Sequence, residues 1–307
     1  MLIHRDGMPI AQFSTVVGDV PGRLLLLGAA RAYYRGDALL QRILNGSHAC
    51  MGGFLSQSLT AEEKGQLTID LYSASGASVS SLLTGLWPWE ESWYRRRLPR
   101  PPARVLVGAC GAGREADALV RGGWQVDAFE PAPSLVAASR RRLKGRARVF
   151  PARYQDLSAA ALDDRDGPAA LLAHERYDAL VLGWGSLSHL GERVERERLF
   201  RALALLCPKG PILASFWLAD TSASMATRGP RRSVRLGRTL GQAVRRVRRL
   251  PRDPTAGELF TLSGGFGYGI AREEIERLGA SIGRVVLWEN GSDEMSPVMP
   301  HVSCVLA

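Results

Sequence analysis

The chain has 307 residues, 46% of them hydrophobic, enough to bury one large core or one domain with a substantial appendage. Its formal charge of +10 is concentrated between Thr221 and Pro254, where ten arginines stand against the single Asp253, and the near-neutral remainder excludes a surface that coats nucleic acid throughout. No apolar run approaches the roughly 20 residues of a membrane span, and the four cysteines (Cys50, Cys110, Cys207, Cys304) and five histidines form no CxxC pair or HExxH cluster, which favours a cytoplasmic protein with reduced thiols and no built-in metal.

At the N-terminus, Asp6, Gly7 and Pro9 interrupt any basic–apolar–small signal layout. Leu39, Leu40, Ile43 and Leu44 recur at helical spacing, and Thr60 with Glu63 makes a capping-box start for a helix running through Leu67 and Leu71. The aromatic cluster Trp87, Trp89, Trp93 and Tyr94 follows. Such a density of rings packs a core more often than it lines an acceptor pocket, where Glu90 or Glu91 would hold a cationic group. Pro99, Pro101 and Pro102 close the stretch, so residues 1–102 are expected to form a mainly helical N-terminal cap or extension.

Residues 103–307 change pattern. Arg104-Val105-Leu106-Val107 reads as a short buried strand that enters Gly108-Ala109-Cys110-Gly111-Ala112-Gly113. A helix from Arg114 to Arg121, a strand from Gln125 to Phe129 ending on Glu130, and a helix over Pro133–Lys144 follow. Further strands are expected near Ala147–Pro151, Ala179–Leu182 and Pro211–Phe216, the last two flanking a helix over Glu192–Leu206. After an arginine-rich insertion at 221–256 come a helix near Arg272–Leu278 and strands near Arg284–Trp288 and His301–Leu306, with the loop Asn290–Asp293 between them. Strands alternating with helices imply an α/β fold with a doubly wound, mostly parallel sheet closed by an antiparallel pair.

The strand–glycine loop–helix unit has a physical purpose. Glycines let backbone approach a ligand closely, and a helix N-terminus offers free amides. Glu130 ends the next strand, where a carboxylate accepts the hydroxyls of a ribose. Together these point to an adenosine-containing cofactor without choosing one, since Gly111-Ala112-Gly113-Arg114-Glu115-Ala116 also satisfies a G-x-G-x-x-A dinucleotide fingerprint.

Val105 to Gly113 resembles motif I of the class I S-adenosylmethionine-dependent methyltransferases, and the Cys-Gly-x-Gly core is familiar there. Glu130 matches that family's acid at the end of strand two, and Tyr154-Gln155-Asp156-Leu157 its adenine-side acid after strand three. Tyr177–Leu182 resembles its fourth strand, with Gly183–Leu190 as the following loop, and Cys207–Pro211 the turn before strand five. The resemblance spans residues 103–217. It implies a Rossmann-like seven-stranded sheet with an antiparallel C-terminal strand. It also implies S-adenosyl-L-methionine as cofactor, held by Ala109, Cys110, Gly111, Gly113, Glu130, Pro131, Asp156, Leu157, Gly183 and Trp184. Two positions depart from the pattern. Val107 stands where an acid is common, and Ala109 replaces the first motif glycine, which is tolerable where the backbone needs no positive φ.

The chemistry so implied is methyl transfer to an acceptor in line with a departing sulfur, where alignment supplies much of the acceleration. A base is needed only if the acceptor must lose a proton. His189, in the loop after strand four, is the leading candidate, against a plain capping role. Tyr268, in Gly264-Gly265-Phe266-Gly267-Tyr268-Gly269, would reach the site from a lid if this segment is more than a glycine-rich connection. No Asp/Asn-Pro-Pro-aromatic motif follows strand four, Cys207-Pro208 reverses the Pro-Cys of cytosine-C5 enzymes, and the strand-four loop lacks the acidic cluster of magnesium-dependent catechol-type enzymes. A metal-independent small-molecule O- or N-methyltransferase remains. The alternatives are a noncatalytic S-adenosylmethionine-binding regulatory or scaffold protein and an NAD-dependent oxidoreductase.

Within the insertion, Leu236, Leu240, Val244, Val247 and Leu250 recur at helical spacing between arginines. This predicts a basic amphipathic helix, ended at Pro251 and loosened by Gly237 and Gly241. A solvated face is the plain expectation; reversible contact with an anionic membrane surface is the first functional one, ahead of an acidic partner, and nucleic acid is disfavoured.

Overall fold

The computed structural model describes residues 23–76, 85–164, 166–219, 231–251, 258–261, 264–290 and 302–307. The N-terminal segment bearing Asp6 and Pro9, the ends of the arginine-rich insertion and most of the loop after Asn290 lie outside the described residues. The chain divides into two compact units, residues 1–47 and 48–307. Helix α1 (Arg23–Ser58) begins in the first unit, where Tyr33, Tyr34, Leu39, Leu40, Ile43 and Leu44 are exposed. The helical spacing of those leucines is met, but their apolar face is not buried.

The second unit holds a seven-stranded sheet: β1 (Arg104–Gly108), β2 (Gln125–Phe129), β3 (Arg148–Phe150), β4 (Ala179–Leu182), β5 (Ile212–Phe216), β8 (Val286–Asn290) and β9 (Val302–Leu306), in the order β3-β2-β1-β4-β5-β9-β8. The first five are parallel, and β9 runs antiparallel to both of its neighbours. Strands β1, β4 and β5 read as continuous apolar runs because both sheet faces are covered there. Leu106, Leu180, Leu182 and Phe216 face helices α6 (Tyr154–Asp163) and α8 (Arg193–Leu206). Val105, Val107, Val181 and Leu213 face α3 (Pro88–Arg97), α4 (Arg114–Arg121) and α5 (Pro133–Leu143). The short α7 (Ala170–Ala173) and α10 (Arg272–Ser281) complete the layers.

Chain direction across the sheet reverses between β1 and β4, which opens a crevice beyond their carboxyl ends, the usual ligand position in such sheets. The helix α2 (Ala61–Leu71) opens with the expected capping box, Thr60 Oγ1 accepting from the Glu63 amide and the Glu63 carboxylate from the Thr60 amide.

Two elements differ from the sequence expectation. The glycine-rich stretch around Tyr268 is a hairpin, β6 (Glu258–Thr261) with β7 (Gly265–Tyr268), rather than a connection. It is fastened to α2 by the Phe266 amide donating to Thr68 Oγ1 at 2.9 Å and by a buried Lys64–Glu258 ion pair at 2.7 Å. Gly267 leaves room for Trp217, since a Cβ there would fall 1.9 Å from the indole. The basic helix α9 (Arg231–Val247) is present, but Gly237 and Gly241 do not loosen it. They press on α1, where added Cβ atoms would lie 1.9 Å from the Cys50 carbonyl oxygen and 2.4 Å from that of Phe54. Arg245 is buried beside them and donates to the Gln57 carbonyl at 2.6 Å, one of the unpaired carbonyls at the end of α1.

Gly237→Ala is therefore expected to lower unfolding free energy by roughly 1–3 kcal/mol, the usual range for overpacking. Gly36→Ala, a helical position with open space around it, is expected to be neutral or stabilising. Urea titrations of the two variants compare them directly.

Candidate functional site

A cavity of about 520 Å³ lies at the carboxyl ends of β1, β2 and β4, within the range of small-molecule sites. The turn after β1 forms one wall. Ala109, Gly111 and Gly113 have φ of 48°, 55° and 80°, so alternate residues adopt the left-handed region. Ala109 thus does need positive φ, contrary to the condition under which alanine would be unstrained, at a cost on the order of 1–2 kcal/mol. Gly111 has open space where a side chain would be, whereas Gly113 faces Ser139 and N-caps α4. No side chain caps that end, so its amides keep their capacity for a ligand.

Glu130 organises this wall. One carboxylate oxygen accepts from the Gly111 amide and the other from the Ala132 amide, each at 2.9 Å. Burial pushes its pKa up to about 7, with the two amide bonds acting in the opposite direction. A carboxylate has about four acceptor positions, so two remain for ligand hydroxyls. Pro131 and Asp156 also line the cavity; the Asp156 carboxylate accepts from the Arg153 amide at 2.8 Å and closes the first turn of α6.

Beyond β4, Gly183, Trp184 and Ser186 form the opposite rim. Trp184 has φ of 45°, an uncommon state for a bulky residue, and the Arg114 guanidinium lies 5.5 Å from its ring centroid. Beneath them is a buried charge cluster absent from the sequence expectations. Arg114 donates to Glu90 at 2.6 Å and Tyr94 OH to Glu115 at 2.8 Å. Burial first, and the charge of Glu90 second, raise the Glu115 carboxyl above the usual range. Gly183 permits this approach, because a Cβ would fall 2.3 Å from Glu115 Oε1.

Eight of the ten residues expected to hold the cofactor line the cavity: Ala109, Cys110, Gly111, Glu130, Pro131, Asp156, Gly183 and Trp184. Gly113 serves the helix cap instead, and Leu157 is fully buried in the core. The rings of Trp87, Trp89, Trp93 and Tyr94 do not line the cavity; Trp93 and Tyr94 belong to the core beneath α3. Glu91 faces outward to Arg95 at 2.7 Å.

His189 and Tyr268 both line the cavity. His189 ends a short 3₁₀ turn (Ser186–His189), with Nδ1 2.9 Å from the Phe266 carbonyl and Nε2 3.1 Å from Tyr72 OH. A carbonyl only accepts, so the proton sits on Nδ1, and Nε2 accepts from the tyrosine. Burial lowers the His189 pKa and keeps the ring neutral. Tyr72, missed in the sequence, opens a π-helical turn (Tyr72–Gly76) after α2, an irregularity frequent at functional sites. Burial, then the Glu130 charge, raise its hydroxyl to about 12. Tyr268 sits on β7 with its ring against Gly191, so it belongs to a fixed wall.

No protein-family model and no curated protein sequence matches the chain. Solved structures similar to it include S-adenosylmethionine-dependent methyltransferases. A TehB-like enzyme from Corynebacterium glutamicum is 15% identical over 71% of this chain and 86% of its own, with a TM-score of 0.43. The glycopeptide N-methyltransferase MtfA is 19% identical over 75% and 99%, with a TM-score of 0.46. The magnesium protoporphyrin IX methyltransferase of Synechocystis, solved with S-adenosylmethionine bound, is 12% identical over 80% and 97%, with a TM-score of 0.48.

Two outcomes follow from the wall around Glu130. Ala109→Gly is expected to raise unfolding free energy by about 1 kcal/mol, relief of the left-handed strain outweighing the added freedom of the unfolded chain; a lowered thermal midpoint would contradict this. Folded Glu130 keeps its proton up to about 7, against 4.5 for the free group. The folded state therefore binds that proton more tightly and loses stability as pH rises through the window. Glu130→Gln, which cannot titrate, is expected to decline less between about pH 5 and about pH 7.5 in urea titrations.

Proposed function

We propose that the protein is a cytoplasmic S-adenosylmethionine-dependent methyltransferase acting on a small-molecule oxygen or nitrogen acceptor. The observation that carries this is the single cavity wall built from the glycine turn, the uncapped α4 amides and the Glu130 carboxylate, facing the Tyr72–His189 pair. The residues fit an adenosyl sulfonium. Glu130 has two acceptor positions for a ribose, Asp156 and Trp184 border the adenosine side, and open space at Gly111 admits close backbone approach. Glu115, buried with Glu90 against one guanidinium, borders the cavity beside Gly183. When bound, the cofactor would supply a methyl group on a sulfur that leaves without activation. The four free thiols fit a reducing compartment.

The chain's own contribution is binding, alignment and proton handling. Tyr72 donates to Nε2 of His189, so a hydroxyl or protonated nitrogen held at the Tyr72 oxygen can pass its proton along the pair. His189 is fixed in the accepting tautomer by the Phe266 carbonyl. The hairpin β6–β7 and α2 exclude water from this end of the cavity.

Calorimetric titration with S-adenosylmethionine, S-adenosylhomocysteine and NAD tests the assignment. Both sulfur compounds are expected to bind, and Glu130→Ala to weaken them roughly 10- to 100-fold, the worth of a charge-assisted hydrogen bond. Preference for NAD overturns it. Cofactor binding without transfer to any acceptor would favour a regulatory binding protein. With an acceptor in hand, Tyr72→Phe and His189→Asn are each expected to lower kcat by roughly 10²-fold or more, and the acid limb of the wild-type kcat profile to fall below the ordinary histidine value of 6.5. Unchanged turnover at saturation would leave alignment as the only contribution.

A further inference from the structure

Helix α9 is built inside out for a globular protein. Its inward face is a row of Gly237, Gly241 and buried Arg245, one turn apart, locked on the backbone of α1 between Cys50 and Gln57. Its apolar stripe points away from the protein. Leu236, Leu240 and Val247 are 58%, 50% and 85% exposed, and exposed Ala243 continues the line between them. A surface helix normally turns such a stripe to the core. Arg232, Arg235 and Arg246, all exposed, run along one side of it, Arg231, Arg238 and Arg249 lie further round the exposed surface, and no acidic residue occurs between Arg231 and Leu250.

We propose that the outward face of α9 is a docking surface for an anionic lipid bilayer. The charge selects an anionic partner. A second copy would bring an identical row of arginines against this one, and like charges repel. A nucleic acid would neutralise the guanidinium groups but leave the leucines and Val247 in water, since phosphate chains offer them nothing apolar. A bilayer surface satisfies both sets at once: lipid phosphates take the arginines while the apolar side chains enter the acyl boundary. Among the described residues no helix is long and apolar enough to cross a membrane, so the contact lies on the surface. The close glycine packing fixes the helix before it meets lipid, so little ordering remains to be done on binding.

Flotation of the purified full chain with phosphatidylglycerol–phosphatidylcholine vesicles, and with phosphatidylcholine alone, tests this independently of any methyl transfer. Binding is expected to the anionic vesicles only, weakening with salt. The triple variant Leu236→Ser, Leu240→Ser, Val247→Ser should bind at least tenfold more weakly with an unchanged thermal midpoint, as should Arg232→Gln with Arg235→Gln and Arg246→Gln. Leu240→Trp, which removes no charge, should shift its emission to the blue on anionic vesicles. Absence of binding overturns the proposal. So does binding that ignores the serine triple and leaves the tryptophan in water, which would make the face a general polyanion site for RNA or an acidic protein.

Discussion

The carboxylate of Glu130 spans two backbone amides, those of Gly111 and Ala132, and the cavity depends on that span. Gly111 belongs to the turn after β1, and Ala132 immediately precedes the first turn of α5, after β2. This side chain therefore joins two loops beyond the paired strands, together with the Cys110 amide, which donates to the Phe129 carbonyl at 3.0 Å. Burial raises the proton affinity of this group, and the amides oppose that effect. A ligand that donates hydroxyl hydrogens favours the ionised form and is itself favoured by it.

A second buried group works with the first. Glu90, Arg114, Glu115 and Tyr94 place two carboxyls against one guanidinium, with Gly183 lying directly over Glu115. Fully ionised, this cluster carries an uncompensated negative charge under the cavity floor. Burial and the Glu90 charge favour the protonated form of Glu115, in which the cluster is neutral, and Tyr94 supplies a hydrogen bond.

The parallel sheet was legible because β1, β4 and β5 are apolar runs and strands alternate with helices, and the glycine turn because strand, glycine and acid occur in fixed order. Leu157 was misplaced for a reason of register: Asp156 faces the cavity rim, and the next residue of α6 is rotated by about 100° into the core. Gly237 and Gly241 were read by intrinsic propensity, which makes glycine a helix weakener; the opposing carbonyls of α1 that require them are almost two hundred residues distant in sequence. The hairpin β6–β7 escaped because its strands are four residues long, are separate from the main sheet, and include glycines whose partner, Trp217, gives no local signal. Tyr72 had no motif around it. Its role is fixed by His189, a residue that sequence placed near the site without placing the tyrosine beside it.

The bond from the Phe266 amide to Thr68 Oγ1 joins residues 198 positions apart. During synthesis α2 leaves the ribosome long before the strand that it will hold. At ordinary elongation rates of about 5–20 residues per second, that interval is roughly 10–40 seconds. Through nearly all of it, Lys64 and Thr68 lack Glu258 and Phe266 as partners, although the first strands of the sheet are already available to pair. The roof of the cavity is thus the last part to be completed, and the nascent chain passes through a stage with a formed floor and an open top.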